Sequence, residues 1–345
     1  MVNRQMMDKV RINIDNYFNK LEGNERFSGV ILVSINGEKV VCKGYGMANY
    51  ELEIPNKSNA RVRIGSVTKQ FTAAIILQLC EKGLLNLDDT LDKYIPDYPD
   101  GNKVTIHHLL THTSGIFNST RIEGFLQSMR NKHSVEELIN EFKHLPYDFE
   151  PGTKYSYSNS GYILLGYIIE KVSKMTYEEY LHKNIFDKSS MNDSGYDDFK
   201  KIIKGRASGY ALAGEEKTLA NCDFIDMSVP YAAGALYSTV EDLYNWNNKL
   251  IKGEILSENS LNQMLSKHVK TEECYYGYGL FLDDIELGGK VRKKVWHTGG
   301  IPGFLSCSKV FPDDDIQIIM ITNIASEFFA PKVSDVEAIV FEHIQ

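Results

Sequence analysis

The sequence lacks the marks of several common protein classes. Its 345 residues hold five cysteines, Cys42, Cys80, Cys222, Cys274 and Cys307, widely scattered and with no C-x-x-C pair. An odd, dispersed set argues for reduced thiols, against a disulfide frame or a structural zinc site. No apolar run approaches the roughly 20 residues that carry a helix across a bilayer. The net charge is -8 and no long basic run occurs. Nucleic acid is therefore not an expected partner, because neutralising phosphates takes clustered lysine and arginine. Neither G-x-S-x-G nor H-E-x-x-H occurs, so a nucleophile elbow of the α/β-hydrolase kind and a zincin helix are both excluded. The N-terminal stretch has no continuous apolar core and no small-residue cleavage site, so it does not read as a signal peptide. As it stands the chain reads as cytoplasmic; a secreted protein already stripped of its leader would look the same. There is no internal repeat and no low-complexity segment.

What is present is the composition of a globular protein long enough for one large domain or two modest ones. Val10, Ile14, Phe18 and Leu21 fall on one face of a predicted N-terminal helix, with Gly23 as its stop. FSGVILVSI and EKVVCKGYGMA are β-rich runs joined by Asn36-Gly37, a strong hairpin signal. A helix is predicted over 66–82, with Gly83 as its C-terminal stop, and another over roughly 159–174. Strands return in YGYGLFLDD, KVRKKVWHT, FLSCSKVFP and IQIIMITN, and 331–344 close the chain as a helix. The layout predicts an α+β fold: an antiparallel sheet flanked by N- and C-terminal helices, with a mostly helical region inserted. The expected division is a sheet domain of 1–85 and 205–345, a helical domain of 86–204, and an active site in the groove between them.

Chemistry enters at RIGSVTKQFTAAIILQLCEKG, Arg61 to Gly83, where Ser66 precedes Lys69 by three. On a helix these two lie on one face. A hydroxyl at a helix start is near the positive end of the dipole, and a desolvated lysine loses its proton readily enough to accept the serine's. The same residues would also serve as an N-capping serine and a surface lysine. A second pair of this spacing, Ser306 and Lys309, lies in a predicted strand, where residues three apart point to opposite faces and cannot cooperate.

Two further segments bear on the choice. EPGTKYSYSNSGY carries Tyr157-Ser158-Asn159 before a buried helix; a tyrosine becomes reactive when a nearby cation, here Lys69, favours its phenolate. VWHTGGIPGF ends a predicted strand, where Gly299 and Gly300 allow a close backbone approach, substrate pairing along the strand edge, and an oxyanion-binding N–H. Each segment alone also reads as ordinary structure: an aromatic loop, and a glycine turn in a hairpin.

Together and in this order, S-x-x-K, Y-x-N and H-T-G resemble the serine hydrolases that include class C β-lactamases, D-alanyl-D-alanine carboxypeptidases, D-aminopeptidases and penicillin-binding-protein-like esterases. LLTHTSGI and AAGALYSTVEDLYNW extend the resemblance along nearly the whole chain. It implies that Ser66 is the acyl-forming nucleophile and Lys69 its proton partner, titrating as a coupled unit with Tyr157 as general base or relay. Asn159 would orient the lysine and the substrate amide. His297, Thr298, Gly299 and Gly300 would line the substrate, with the backbone N–H groups of Ser66 and Gly300 as oxyanion hole.

The resemblance implies no cofactor and no metal, and a small-molecule or peptide substrate with an amide or ester bond. His297 stands where class C β-lactamases carry lysine; histidine is mostly neutral at pH 7, which weakens the anchor for a substrate carboxylate and speaks against efficient β-lactam turnover. Glu258 to Asn262 mimics the E-x-x-L-N of class A enzymes but lies far past Tyr157, and reads as a helix capped by Ser257 with Leu261, Met264 and Leu265 buried. His107, His108 and His112 fall in a segment that matches a structural loop of the serine family. A sensor of the same fold that acylates once, and a true class C-like β-lactamase, are the alternative functions.

Overall fold

The computed structural model describes residues 4–21 and 27–344. Eight strands form the main sheet: β1 (Gly29–Ile35), β2 (Glu38–Tyr45), β3 (Val269–Lys270), β4 (Tyr275–Tyr276), β5 (Phe281–Leu287), β6 (Lys290–Ile301), β7 (Phe304–Phe311) and β8 (Ile316–Thr322). Their spatial order is β3-β4-β5-β6-β7-β8-β1-β2, with every neighbouring pair antiparallel. The β1–β2 turn has Asn36 and Gly37 at φ 51° and 74°. That is the double positive-φ geometry which favours Asn-Gly in a tight hairpin. The hairpin then docks on the far end of the chain, Ile35 opposite Ile316 through Gly29 opposite Thr322.

Eight principal helices accompany the sheet: α1 (Arg4–Lys20), α2 (Lys69–Glu81), α3 (Ile106–Leu110), α4 (Val135–Phe142), α5 (Asn159–Ser173), α6 (Val240–Ile251), α7 (Glu258–Met264) and α8 (Phe329–Glu342). The sheet is buried on both faces, and the period-2 alternation of its strands sorts the side chains. Val30, Leu32, Ile319 and Ile321 pack with α2, α5 and α6, while Ile31, Val33, Ile318 and Met320 pack with α1 and α8. Val10, Ile14 and Phe18 supply the buried face of α1, with Leu21 partly buried beside them. Gly23 lies outside the described residues. The helical elements share one continuous hydrophobic cluster with the near face of the sheet, so no uncovered seam divides their cores. Among the described residues no helix is long and apolar enough to cross a membrane.

Three expectations about local structure need correction. The helix predicted from 66 starts later: Gly65–Thr68 is a 3₁₀ turn and α2 begins at Lys69. Ser66 caps nothing, since neither helical segment has a side-chain capping bond at its start. Gly299 and Gly300 do not form a turn: β6 runs through them to Ile301, and the reversal falls at Pro302-Gly303. On α7, Met264 is buried but Leu261 and Leu265 are only half-covered, while the Ser257 cap is made and Glu258 is exposed.

The second serine–lysine pair divides as strand geometry requires. Ser306 Oγ donates to the Ile64 carbonyl at 2.7 Å, while Lys309 pairs with Glu337 of α8 on the opposite face. All five cysteines are free thiols.

Candidate active site

The turn that carries Ser66 rests on the sheet. Ile64, just before it, lies against β6 so closely that a Cβ built on Gly299 would stand 2.0 Å from the Ile64 carbonyl oxygen and 2.4 Å from Ser306 Oγ. Only glycine fits at 299, and the reason is contact rather than backbone torsion. Gly300 then lies next to Gly65, where a Cβ would come within 2.9 Å of the Gly300 nitrogen. We expect Gly299→Ala to push the turn off the sheet. The scale of overpacking is about 1–3 kcal/mol of stability or more, and the serine moves with the turn. A lowered unfolding midpoint together with acylation slowed at least about tenfold, the cost of a misplacement well under 1 Å, is the expected outcome. A variant as stable and as reactive as the wild type would show that the contact is not constraining.

From Ser66, the 3₁₀ turn feeds directly into α2, whose residues Lys69 to Leu79 are all buried. A predominantly apolar helix buried on every side belongs in a core, and this one carries Lys69 into it with no exposed surface. The surface-lysine reading is thereby excluded. Lys69 Nζ lies 3.1 Å from Ser66 Oγ, 2.8 Å from Asn159 Oδ1 and 2.8 Å from the Ala233 carbonyl. Among the described residues no carboxylate pairs with it, and burial holds its pKa well below the ordinary lysine value. Lys69 Nζ sits over the rings of Tyr157 at 4.8 Å and Tyr162 at 5.5 Å.

Burial pushes the Tyr157 phenol up from the usual value, with the neighbouring Ser66 hydroxyl opposing the rise. The expectation of a phenolate stabilised by a lysine cation is therefore corrected: here the lysine tends to neutral and the tyrosine stays protonated. The Y-x-N loop is pinned from two sides. The Ser158 N–H donates to His112 Nδ1 at 3.1 Å, and the Asn159 N–H to Asn118 Oδ1 at 3.2 Å. The His112 ring packs against that of Tyr157, centroids 4.3 Å apart and the planes tilted by 35°.

His297 is buried and takes no part in a charged anchor. Its Nδ1 lies 2.6 Å from the Thr298 carbonyl and its Nε2 3.2 Å from the Tyr276 hydroxyl. Since a carbonyl only accepts, Nδ1 carries the proton and Nε2 accepts from Tyr276. Burial, with Lys69 nearby, lowers its pKa to about 3. Thr298 and Gly300 are exposed, Gly299 buried. Pairing of β6 with β5 ends at Trp296 opposite Phe281, whereas pairing with β7 runs on to Ile301 opposite Phe304. Residues His297 to Ile301 therefore have a strand neighbour on one side only.

Several groups at the site carried no legible role in the sequence. Ala233 contributes a carbonyl, held in a four-residue helical turn, Tyr231–Gly234, whose Ala232 carbonyl accepts from Thr72 Oγ1 at 2.7 Å. Asn118, His112 and Tyr276 act on the Y-x-N loop and on His297. The segments that carry Ala233 and His112, AAGALYS and LLTHTSGI, stood out in the sequence, but nothing in them signalled a backbone acceptor or a ring wedge. Among the described residues no cluster of histidine, cysteine, aspartate or glutamate is arranged to hold a metal. His107 turns to the Tyr278 hydroxyl at 2.8 Å, and His108 closes a capping box with Thr105, so the three histidines do not converge.

Two openings are lined by residues of the site. A cavity of about 150 Å³ holds Ser66, Asn159 and Gly300; a groove of about 1000 Å³ is lined by Tyr155, Tyr157, Phe281 and Trp296 with the 269–274 segment.

An antiparallel sheet with helices on both faces and a serine backed by a buried lysine define the β-lactamase and transpeptidase class of fold. The chain belongs to the Beta-lactamase family, whose model matches residues 14–339. It is 30% identical over 311 residues to the Bacillus subtilis (strain 168) protein named "Putative penicillin-binding protein PbpX", covering 90% of this chain and 73% of the relative. A crystal structure of a penicillin binding protein from Bacillus halodurans superposes with a TM-score of 0.82 at 30% identity, covering 98% of this chain and 99% of that one. D-amino acid amidase from Ochrobactrum anthropi SV3, solved with D-phenylalanine, shares the fold at a TM-score of 0.82 and 23% identity, covering 99% of each chain.

Proposed function

We propose that this protein is a serine hydrolase that cleaves an amide or ester through an acyl-enzyme on Ser66. The observation that carries the reading is the environment of Lys69: fully buried, without a carboxylate partner among the described residues, 3.1 Å from Ser66 Oγ, with its other two contacts both carbonyl oxygens. A neutral amine has two N–H bonds and one lone pair. Donating to Asn159 Oδ1 and the Ala233 carbonyl uses both N–H bonds and leaves the lone pair for the Ser66 hydroxyl. That is the geometry of a general base.

In the first half-reaction Ser66 Oγ bonds to the substrate carbonyl carbon and its proton passes to Lys69. The N–H groups of Ser66 and Gly300 receive the oxyanion, and the C–N or C–O bond breaks. The leaving group takes its proton from Tyr157, and the protonated Lys69 gives up the proton it took from Ser66 to restore Tyr157, leaving a neutral amine beside the acyl-enzyme. Water then repeats the sequence on the acyl-enzyme. A neutral, buried His297 offers a substrate carboxylate no fixed charge, so β-lactam turnover should be weak. The free side of His297 to Ile301 suits an extended substrate backbone.

Incubating the wild type with benzylpenicillin or p-nitrophenyl butyrate, with intact mass and product followed together, tests this. Many product equivalents per protein from the ester, with penicillin giving a slow adduct or none, is the expected result. A single equivalent from both would instead make the protein an acylating sensor. Rapid penicillin loss without an adduct would make it a β-lactamase.

A further inference from the structure

The cavity beside Ser66 has no ionisable wall. Its polar members are Ser66, Ser119, Thr120 and Asn159, and the rest is apolar, including Phe125, Ile163, Ile225 and Val229. Ile163 follows Asn159 by one turn on α5, so the two share a face, and it is 98% buried at that wall. The Asn159 oxygen is already committed to Lys69. A charged group entering this space would lose its water and meet no counter-ion, which is costly. An apolar group would gain about 0.8 kcal/mol per buried methylene. Apolar space of about 150 Å³ accommodates a group of roughly benzene size.

The position of the cavity assigns it to one half of the substrate. On the acyl-transfer reading the leaving group departs toward the proton donor, Tyr157. Tyr157 lines the wide groove and not the small cavity, whereas Ser66 and Gly300, which hold the reacting carbonyl, line the cavity. The acyl half therefore points into the cavity and the leaving group into the groove.

We infer that the cavity is an acyl-side pocket selecting a neutral, apolar group up to about the size of a benzene ring, and that Ile163 sets its depth. This rests on the proposed acyl transfer at Ser66. It separates the protein from hydrolases that read a carboxylate or a free ammonium next to the scissile bond. The leaving group, in a wide, open groove of mixed aromatic and charged lining, is under weaker selection.

Boronic acids test the pocket without requiring turnover. Ser66 Oγ adds to the trigonal boron, its proton passes to Lys69, and no group leaves. Affinities of methyl-, butyl-, phenyl-, octyl- and 4-carboxyphenylboronic acid would be measured by calorimetry on the wild type, Ser66→Ala, Ile163→Ala and Ile163→Phe. Binding is expected to tighten from methyl to butyl and phenyl, about fourfold per buried methylene, and to weaken at least tenfold for octyl and for carboxyphenyl. Ile163→Ala should bring octyl up to the phenyl level. Ile163→Phe should cost butyl and phenyl at least tenfold while methyl, which does not reach residue 163, stays unchanged and reports an intact site.

Octyl or carboxyphenyl binding as well as phenyl to the wild type would overturn the inference and leave the acyl-transfer reading standing. So would an unchanged order in both Ile163 variants. No boronate binding better to the wild type than to Ser66→Ala would overturn both.

Discussion

Ser66→Ala is expected to abolish covalent labelling and to lower ester hydrolysis by about 10⁶-fold, the scale on which removing a serine nucleophile collapses a coupled catalytic unit. The substitution deletes one oxygen at a half-exposed position and leaves the neighbours in place. Lys69 keeps its bonds to Asn159 and Ala233, and the 3₁₀ turn, which has no side-chain cap to lose, keeps its backbone. The variant should therefore unfold at the wild-type temperature, so that loss of activity cannot be ascribed to loss of fold. Intact mass after exposure to a chromogenic ester and to penicillin reads the result. Undiminished labelling of Ser66→Ala would move the nucleophile elsewhere, and the mass-mapped peptide would say where.

The second large effect is at Lys69. Lys69→Met fills much the same apolar volume but removes the base, and proton abstraction by a positioned base is worth about 10²–10⁴-fold. Some stability goes as well, because Asn159 Oδ1 and the Ala233 carbonyl lose a donor in a buried place. The pH profile distinguishes a base from a mere spacer. Burial lowers the Lys69 pKa, so the amine is protonated and inactive only below that depressed value. Acylation by the wild type should rise with pH through it and then level off. The Met variant should lack this limb. His297 is already neutral down to about pH 3, so it does not account for a limb above that pH. A limb surviving in Lys69→Met would assign the base to another group.

Much of this was legible because it depends on spacing and periodicity. Three residues on a helix bring Ser66 and Lys69 together even though the intervening segment is part 3₁₀. The Asn-Gly turn and the alternating apolar strands gave the sheet, and the apolar-periodic run after Ser66 gave the helix that carries Lys69. The rest depended on tertiary contact. The Ala233 carbonyl has no side-chain signature, because every residue carries one. His112 matters through a ring contact and one backbone bond that no local pattern encodes. Gly299 reads in sequence as a place where another backbone comes close, and the structure bears this out, but that the approaching backbone is Ile64 of the Ser66 turn depends on tertiary contact. Tyr157 was given a cation for a partner, and only the burial of that lysine reverses the protonation of both.

The pairing of β1 with β8 has a consequence for the order of folding. Strands near the two ends of the chain lie side by side in mid-sheet, Ile35 against Ile316. During synthesis the β1–β2 hairpin is finished early and α1, made before it, supplies cover for one face of β1, yet one edge of β1 stays unpaired until β8 has emerged. Contacts this distant in sequence form slowly, and an unpaired strand edge recruits other strands meanwhile. The vulnerable species is therefore the nascent chain, sticky at its beginning while it waits for its end.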